Sequence, residues 1–158
     1  MKVDSIVQEK TAVNIGIEHA DRQSLANMLS LLLADQHILY LKLRNYHWNV
    51  TGIHFKPLHE LFEEQYNMLA GFIDETAERV RSLGFFTPGS MDEFKRMARL
   101  EETSHLNGDA KRMLENLLLD HEAIIQILRH DQEVAMEEHK DAGTNDFLIA
   151  MMEAHEKM

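Results

Sequence analysis

Residues 25–43, LANMLSLLLADQHILYLKL, decide the fold class of this 158-residue chain. Apolar side chains in this stretch recur on more than one face of an α-helix, so neighbours must bury the helix on two sides. The predicted helix runs from near Asp21 to near Trp48. Two prolines and seven glycines punctuate the chain, and the long segments between them are rich in good helix formers. The sequence therefore predicts an all-helical fold.

Three further long helices follow in the sequence. The second begins at Pro57, which suits the first position of a helix, and ends before Gly84, which suits the position just after one. A long crossover then holds one short helix capped by Ser90. A third long helix spans roughly residues 106–139, and a fourth is capped by Thr144 and runs to the end of the chain. Four main helices with a short extra helix predict a four-helix bundle.

Composition excludes several classes of protein. The formal net charge of −11 repels nucleic acid and attracts cations. The chain has no cysteine, which excludes a disulfide framework and fits a reducing cytoplasm. No apolar run reaches the roughly 18 residues of a membrane span, and residues 1–10, MKVDSIVQEK, lack the apolar core of a signal peptide. We expect a cytoplasmic protein with no membrane partner, in which residues 1–20 form an N-terminal tail and residues 21–158 form one domain.

The candidate metal ligands of the chain lie in residues 45–79, NYHWNVTGIHFKPLHELFEEQYNMLAGFIDETAER. His47 and His59 flank a loop, and Asp74 and Glu78 follow at i,i+4 spacing. Imidazole and carboxylate are ligand types for a divalent first-row metal such as iron. On one helix the second histidine and the two acids share a face, but about 22 Å of helix axis separates His59 from Asp74. Metal bonds are about 2 Å long, so one chain cannot bring both groups to one ion.

Two interpretations of this spacing remain open. In the first, a twofold dimer with antiparallel helices places His59 of one chain beside Asp74 and Glu78 of the other, which creates two identical metal sites. His47 then folds back beside His59. In the second, the acids are ordinary surface groups balanced by Arg79 and Arg81, and the histidines cap or pack. Apolar neighbours of the acids favour partial burial, and buried carboxylates seldom lack a partner or a metal.

Residues 47–66, HWNVTGIHFKPLHELFEEQY, followed by IDETAER at 73–79, resemble the Dps family of mini-ferritins. DAGTNDFLIAMMEAHEKM at 141–158 resembles the start of that family's last helix. The resemblance implies a ferritin-like subunit that assembles into a hollow dodecamer through twofold and threefold interfaces. It implies ferroxidase sites between subunits, where Fe(II) is oxidised, preferentially by hydrogen peroxide rather than dioxygen, and stored as ferric mineral. Iron is then the expected metal, with zinc as a possible substitute, and the cell and its DNA are protected from oxidative damage.

Individual residues match this family's metal ligands. His47 and His59 match the histidine ligands of one chain, and Asp74 and Glu78 match the carboxylate ligands of its partner. Glu63 stands where the family often has a further acid, commonly aspartate, that helps to hold the second iron. The substitution adds one methylene to that ligand.

The resemblance also assigns residues outside the ligand set. Trp48 matches a tryptophan beside the centre, where it could act catalytically by supplying an electron, although simple core packing is the alternative. Asp141 and Asp146 match acids that line threefold pores through which iron enters. A third acidic position of that pore is Ala150 here. The alternative for the two acids is a role at a helix N-terminus.

Two other functions compete with the iron-storing cage. A nucleoid protein that compacts DNA would act by direct binding, which in this family typically uses a lysine-rich arm. Residues 1–20 carry Lys2 and Lys10 against three acids, so we expect DNA binding to be absent or weak, although some association with the nucleoid is possible. An intrachain di-iron protein would need two Glu-x-x-His motifs, and this chain offers Glu102 and His105 alone. His37, His54, His121 and His130 receive no assignment.

Overall fold

The computed structural model describes residues 13–158, and the regular elements of this part of the chain are all helices. Its helices are α1 His19–Asn49, α2 Phe55–Ser82, α3 Met91–Met97, α4 Ala110–Glu137 and α5 Ala142–Lys157. α1 packs on α2 and α4 packs on α5, while α3 lies in the crossover and packs on α1. The structure confirms the four-helix bundle with a short extra helix. Of the predicted tail, residues 1–12 lie outside the described residues, and the domain boundary stays a prediction.

The burial of α1 on two sides is confirmed. Leu25, Leu29 and Leu39 are fully buried in the main core, where they meet side chains of α2, α4 and α5. Leu33 and Ala34 form a second cluster with side chains of the short helix and of α2. An apolar stripe on each of two faces is therefore what places the long crossover beside α1. None of the helices in residues 13–158 is long and apolar enough to cross a membrane.

The helix boundaries confirm two sequence signals. Gly84 follows α2 with φ +99°, a left-handed conformation that suits glycine after a helix. Ser90 caps α3, and Glu93 completes the capping box by accepting from the Ser90 backbone N–H.

Three predicted helix starts are wrong. α2 begins two residues before Pro57, which still lies in the first turn, where its missing N–H has no helical partner to lose. α4 begins at Ala110 and not at residue 106, because Asp109 accepts from the Arg112 backbone N–H. α5 is capped by Asp141 and not by Thr144, which lies inside the first turn.

Buried ion pairs fix the crossover and α4 against α1. Asp35, fully buried on α1, accepts from the Arg99 guanidinium at 2.7 Å and from the Leu100 backbone N–H at 3.0 Å. Lys42, also on α1, pairs with Asp120 of α4 at 2.5 Å. Such pairs specify which face of each helix turns inward, because one partner left alone would be an uncompensated buried charge.

Candidate metal centre

His47 and His59 exchange two hydrogen bonds beside the loop between α1 and α2. His47 Nδ1 donates to the His59 carbonyl oxygen at 2.9 Å, and His59 Nδ1 donates to the His47 carbonyl oxygen at 2.8 Å. The two rings stack with centroids 3.7 Å apart. A carbonyl oxygen can only accept, so both Nδ1 atoms carry hydrogen and both Nε2 atoms keep a lone pair. A backbone carbonyl on the far nitrogen is the usual support of a metal-binding histidine.

Glu63 lies one helical turn after His59 and joins this pair. His47, His59 and Glu63 each offer one ligand atom, and the three atoms lie within 4.8 Å of one another. The histidines are partly buried and Glu63 is exposed. One chain thus presents two imidazoles and one carboxylate, which is a partial coordination sphere with room for further ligands.

Asp74 and Glu78 lie far from this group on the same continuous helix. Fifteen residues of α2 separate His59 from Asp74, or about 22 Å along the axis, and neither acid joins the three-residue cluster among the described residues. Both acids are exposed on the single chain, so the expected partial burial is not found within one subunit.

The structure weakens the alternative in which arginines balance these two acids. Arg79 donates instead to Asp141 at 2.8 Å and to the Thr144 hydroxyl at 3.0 Å. Arg81 donates to the Phe85 carbonyl oxygen at 3.0 Å. Among residues 13–158, neither Asp74 nor Glu78 forms an ion pair with these arginines, and both lie on an exposed helix face.

Trp48 is not a core residue of the subunit. Its side chain is 58% exposed, and the Arg44 guanidinium lies 5.2 Å from the centroid of its ring. The alternative of simple core packing is therefore excluded within one chain. The exposed indole follows His47 directly in sequence, and its redox role stays a prediction.

Tyr66 is a neighbour of the cluster that sequence reasoning missed. Its hydroxyl donates to Glu63 Oε1 at 3.3 Å, and its ring meets that of His47 edge-on at 5.3 Å. Burial and the adjacent Glu63 carboxylate raise the pKa of the Tyr66 phenol. The i,i+3 spacing from Glu63 was the signal available in the sequence, since such pairs meet on a helix.

The two predicted pore acids have different environments. Asp141 is 5% exposed, where its carboxylate accepts from the backbone N–H groups of Gly143 and Thr144 and pairs with Arg79. These bonds account for its role in the subunit, which is that of a helix cap, and they argue against a pore surface. Asp146 is exposed one turn further along α5. Of the two acids, Asp146 is the one whose carboxylate is accessible from solvent.

The intrachain di-iron alternative has no support in the bundle. His105 lies in the crossover with φ +62° and not on a helix, and Glu102 pairs with Lys95 at 3.3 Å. Glu-x-x-His motifs act from facing helices of the bundle interior, and this pair occupies neither position.

Comparison with known proteins agrees with this geometry. The profile of the Ferritin family, a ferritin-like domain, matches residues 26–158. An uncharacterized low temperature-induced protein of Nostoc sp. is 42% identical over 92% of this chain and 82% of its own length. DNA protection during starvation protein 2 of Bacillus anthracis is 33% identical over 85% of this chain and 91% of its own length. The crystal structure of the Dps protein of Vibrio cholerae superposes with a TM-score of 0.87 at 31% identity, covering 95% of this chain and 94% of that one.

The fold and its histidine–carboxylate cluster define a ferritin-like protein. Within that class, the chain belongs to the Dps family. The Vibrio cholerae protein is described as a member of the ferritin-like diiron-carboxylate superfamily. Family membership supports iron storage and protection against oxidative damage as the general role.

Proposed function

We propose that the protein is a ferroxidase and iron-storage mini-ferritin whose active sites lie between subunits. The observation that carries the proposal is the pair of half-sites on one helix. His59 and Glu63 lie near the start of α2 with His47 of α1 beside them. Asp74 and Glu78 lie about 22 Å further along α2 and form no ion pair among the described residues. An antiparallel twofold contact between two α2 helices would complete both half-sites at once.

The chemistry follows from the ligand types. Ferrous iron is the substrate, and His47 and His59 would bind it through Nε2, with Asp74 and Glu78 of the partner subunit supplying negative charge. Carboxylate ligands favour Fe(III) over Fe(II), which drives oxidation. Two ferrous ions each lose one electron, the O–O bond of one hydrogen peroxide breaks, and two protons complete two water molecules. Paired electron transfer releases no hydroxyl radical, which would account for protection of the cell and its DNA.

Several finer features belong to this proposal. Glu63 would hold the second iron, and Tyr66 would orient its carboxylate. Trp48 would supply an electron when one ferrous ion is missing. Zinc would compete for the same ligands, because imidazole and carboxylate also suit Zn²⁺. The oxidised iron would be stored as mineral inside a dodecamer, with Asp146 drawing cations into its threefold pores.

The test is iron oxidation by the native assembly. Fe(II) is bound anaerobically, then mixed in a stopped-flow instrument with hydrogen peroxide or, separately, with dioxygen. We expect faster iron oxidation by peroxide than by dioxygen. In His59→Ala the oxidation rate should fall at least roughly tenfold, because even the loss of a residue that supports a metal ligand typically costs that much. His54→Ala is the matched control, since this exposed histidine lies outside the cluster. An unchanged rate in His59→Ala would overturn the proposed site.

We propose that DNA is protected by removal of iron and peroxide in the cytoplasm and not by compaction. The net charge of −11 disfavours contact with phosphates. The two lysines of the predicted arm, Lys2 and Lys10, lie outside the described residues. A salt-titrated gel shift at defined magnesium should show no retardation above about 100 mM salt, where screening shortens the reach of charges to about 10 Å. Retardation that persists there would restore direct DNA binding.

A further inference from the structure

Two buried histidines meet inside the bundle, away from the centre described above. His121 of α4 and His155 of α5 are 6% and 2% exposed. Their Nδ1 atoms lie 2.9 Å apart, and the ring centroids are 5.1 Å apart. Burial lowers the pKa of His121 to about 4, and burial together with the His121 charge lowers the pKa of His155 to about 3. Both rings are therefore neutral at pH 7, and no proton needs to leave before a cation can bind.

The hydrogen bonds of this pair are incomplete. When one Nδ1–H donates to the other Nδ1, the accepting ring must carry its hydrogen on Nε2. Both Nε2 atoms are buried and lack a partner among the described residues. The pair thus leaves one N–H and one lone pair unsatisfied, and each such group costs about 1–3 kcal/mol. A ligand bound between the two rings would remove these unsatisfied hydrogen-bonding groups.

A third unsatisfied group belongs to the same cavity. Gln65 of α2 is 6% exposed, its Nε2 donates to the Met158 carbonyl oxygen at 2.9 Å, and its Oε1 has no partner among the described residues. Gln65, His121 and His155 line one cavity of about 280 Å³, whose other walls include Leu61. Three helices thus bring three polar groups with unmet hydrogen-bonding capacity to one mainly apolar space.

We propose that this cavity binds a first-row transition-metal cation of the class that imidazole prefers, with His121 and His155 as ligands through Nδ1. Two nitrogens on one tetrahedral Zn²⁺ lie about 3.3 Å apart when each bond is about 2.0 Å. The Nδ1 atoms need to separate by only a few tenths of an ångström from their present distance. The ring that now donates moves its hydrogen from Nδ1 to Nε2, so both Nδ1 lone pairs face the cation. The unpartnered Gln65 Oε1 is an acceptor in the wall of the same cavity.

This site differs in chemistry from the proposed ferroxidase centre. Its two donors are neutral imidazole nitrogens, whereas ferric iron is favoured by carboxylates. Glu122 lies in the cavity wall and does not belong to the donor pair. The site also lies within one chain, so it does not depend on assembly through α2.

Zinc binding by the native assembly tests the proposal. Zn²⁺ is measured by equilibrium dialysis and elemental analysis in a His59→Ala background, which removes the proposed ferroxidase ligand. We expect about one tight Zn²⁺ per subunit and a loss of affinity of at least roughly tenfold in His121→Gln, since even supporting residues of a metal site are worth about that much. His130→Gln is the matched control, because His130 is an exposed histidine on the same helix. Equal affinity in His121→Gln and its parent would overturn the proposal.

Wild-type crystals soaked in Zn²⁺ provide a second measurement that no folding defect can obscure. Anomalous scattering at the zinc edge should place a peak between His121 and His155. Zinc found at surface residues or at His47 and His59 alone would refute the intrachain site. The two proposals fail separately, because His59→Ala affects iron oxidation and His121→Gln affects the zinc that remains in its absence.

Discussion

Substitution of Asp141 tests most clearly whether this residue is a helix cap or an acid of a pore surface. Replacing it with alanine removes the cap of α5 and one side of an ion pair with Arg79 of α2. The carboxylate is 5% exposed and accepts from the Gly143 and Thr144 N–H groups at 3.1 Å and from Arg79 at 2.8 Å and 3.0 Å. The change therefore removes bonds both within α5 and between α5 and α2.

The expected loss follows from these contacts. Loss of an aspartate cap costs about 0.5–2 kcal/mol. Hydrogen bonds to charged groups contribute about 1.5–3 kcal/mol, and the value here lies at the low end because the Arg79 side chain is 27% exposed and can return to water. Asp141→Ala should lower the free energy of unfolding by about 2–4 kcal/mol. Asp141→Asn keeps the cap and should lose only about half of that.

The loss should depend on pH in a defined direction. Burial raises the pKa of Asp141, but hydrogen bonds from Thr144 and Arg79 outweigh it, so the pKa in the folded protein lies below its ordinary value. The stabilisation is present above the unfolded pKa of about 3.9 and is lost as pH falls from there through the lower folded value. Wild type and Asp141→Asn should therefore converge in stability at strongly acid pH.

Calorimetric unfolding at fixed protein concentration measures these changes, because assembly makes stability concentration-dependent. Asp146→Asn is the matched control. This acid is exposed on the same helix, so its loss should change stability by no more than about 0.5 kcal/mol. If Asp141→Ala unfolds like the wild type, or if Asp146→Asn is as destabilised, then the assignment of cap and surface acid is wrong.

Three further perturbations test the packing of the bundle by denaturant or thermal unfolding. Lys42→Met should cost about 3–5 kcal/mol because it leaves the buried Asp120 carboxyl group without its ion-pair partner, and the additional change Asp120→Leu should restore most of the loss; no recovery would contradict this account. Gly108→Ala should cost about 1–3 kcal/mol, because its φ is +80° and a Cβ would lie 2.9 Å from a backbone oxygen at the end of α1; an unchanged midpoint would refute it. In chelator-treated protein, stability should fall by up to about 1.4 kcal/mol per pH unit for each of His121 and His155 as pH drops from about 6.5, because the unfolded rings gain protons and the folded ones do not. The double glutamine variant should show a shallower slope between pH 7 and pH 5, and an equal slope would exclude these rings as its cause.

Patterns of neighbouring residues predict where the helices lie, but they predict less well which distant residues contact those helices. The two-faced apolar pattern of residues 25–43 correctly required neighbours on both sides, and Ser90 and Gly84 marked real helix ends. The sequence predicts the wrong cap for α5, because Asp141 and Thr144 are both capping types three residues apart. The choice depended on Arg79, which is distant in sequence and contacts both residues.

Some features of the candidate metal centre can also be predicted from the sequence, and others cannot. The axial distance from His59 to Asp74 follows from helix geometry alone and predicted that one chain holds half-sites. The reciprocal bonds of His47 and His59 could not be predicted, since they depend on the path of the loop between the helices. The His121–His155 contact cannot be predicted from the sequence either, because periodicity does not say which faces of α4 and α5 meet.

Complementation between inactive subunits tests the central claim most directly. His59→Ala and Asp74→Ala/Glu78→Ala chains are each expected to oxidise iron poorly alone. When they are co-assembled in equal amounts, half of the dimers are mixed, and each mixed dimer has one intact site, so about one quarter of wild-type activity should return. No recovery in verified mixed assemblies would show that the histidines and the acids do not act at one intersubunit centre.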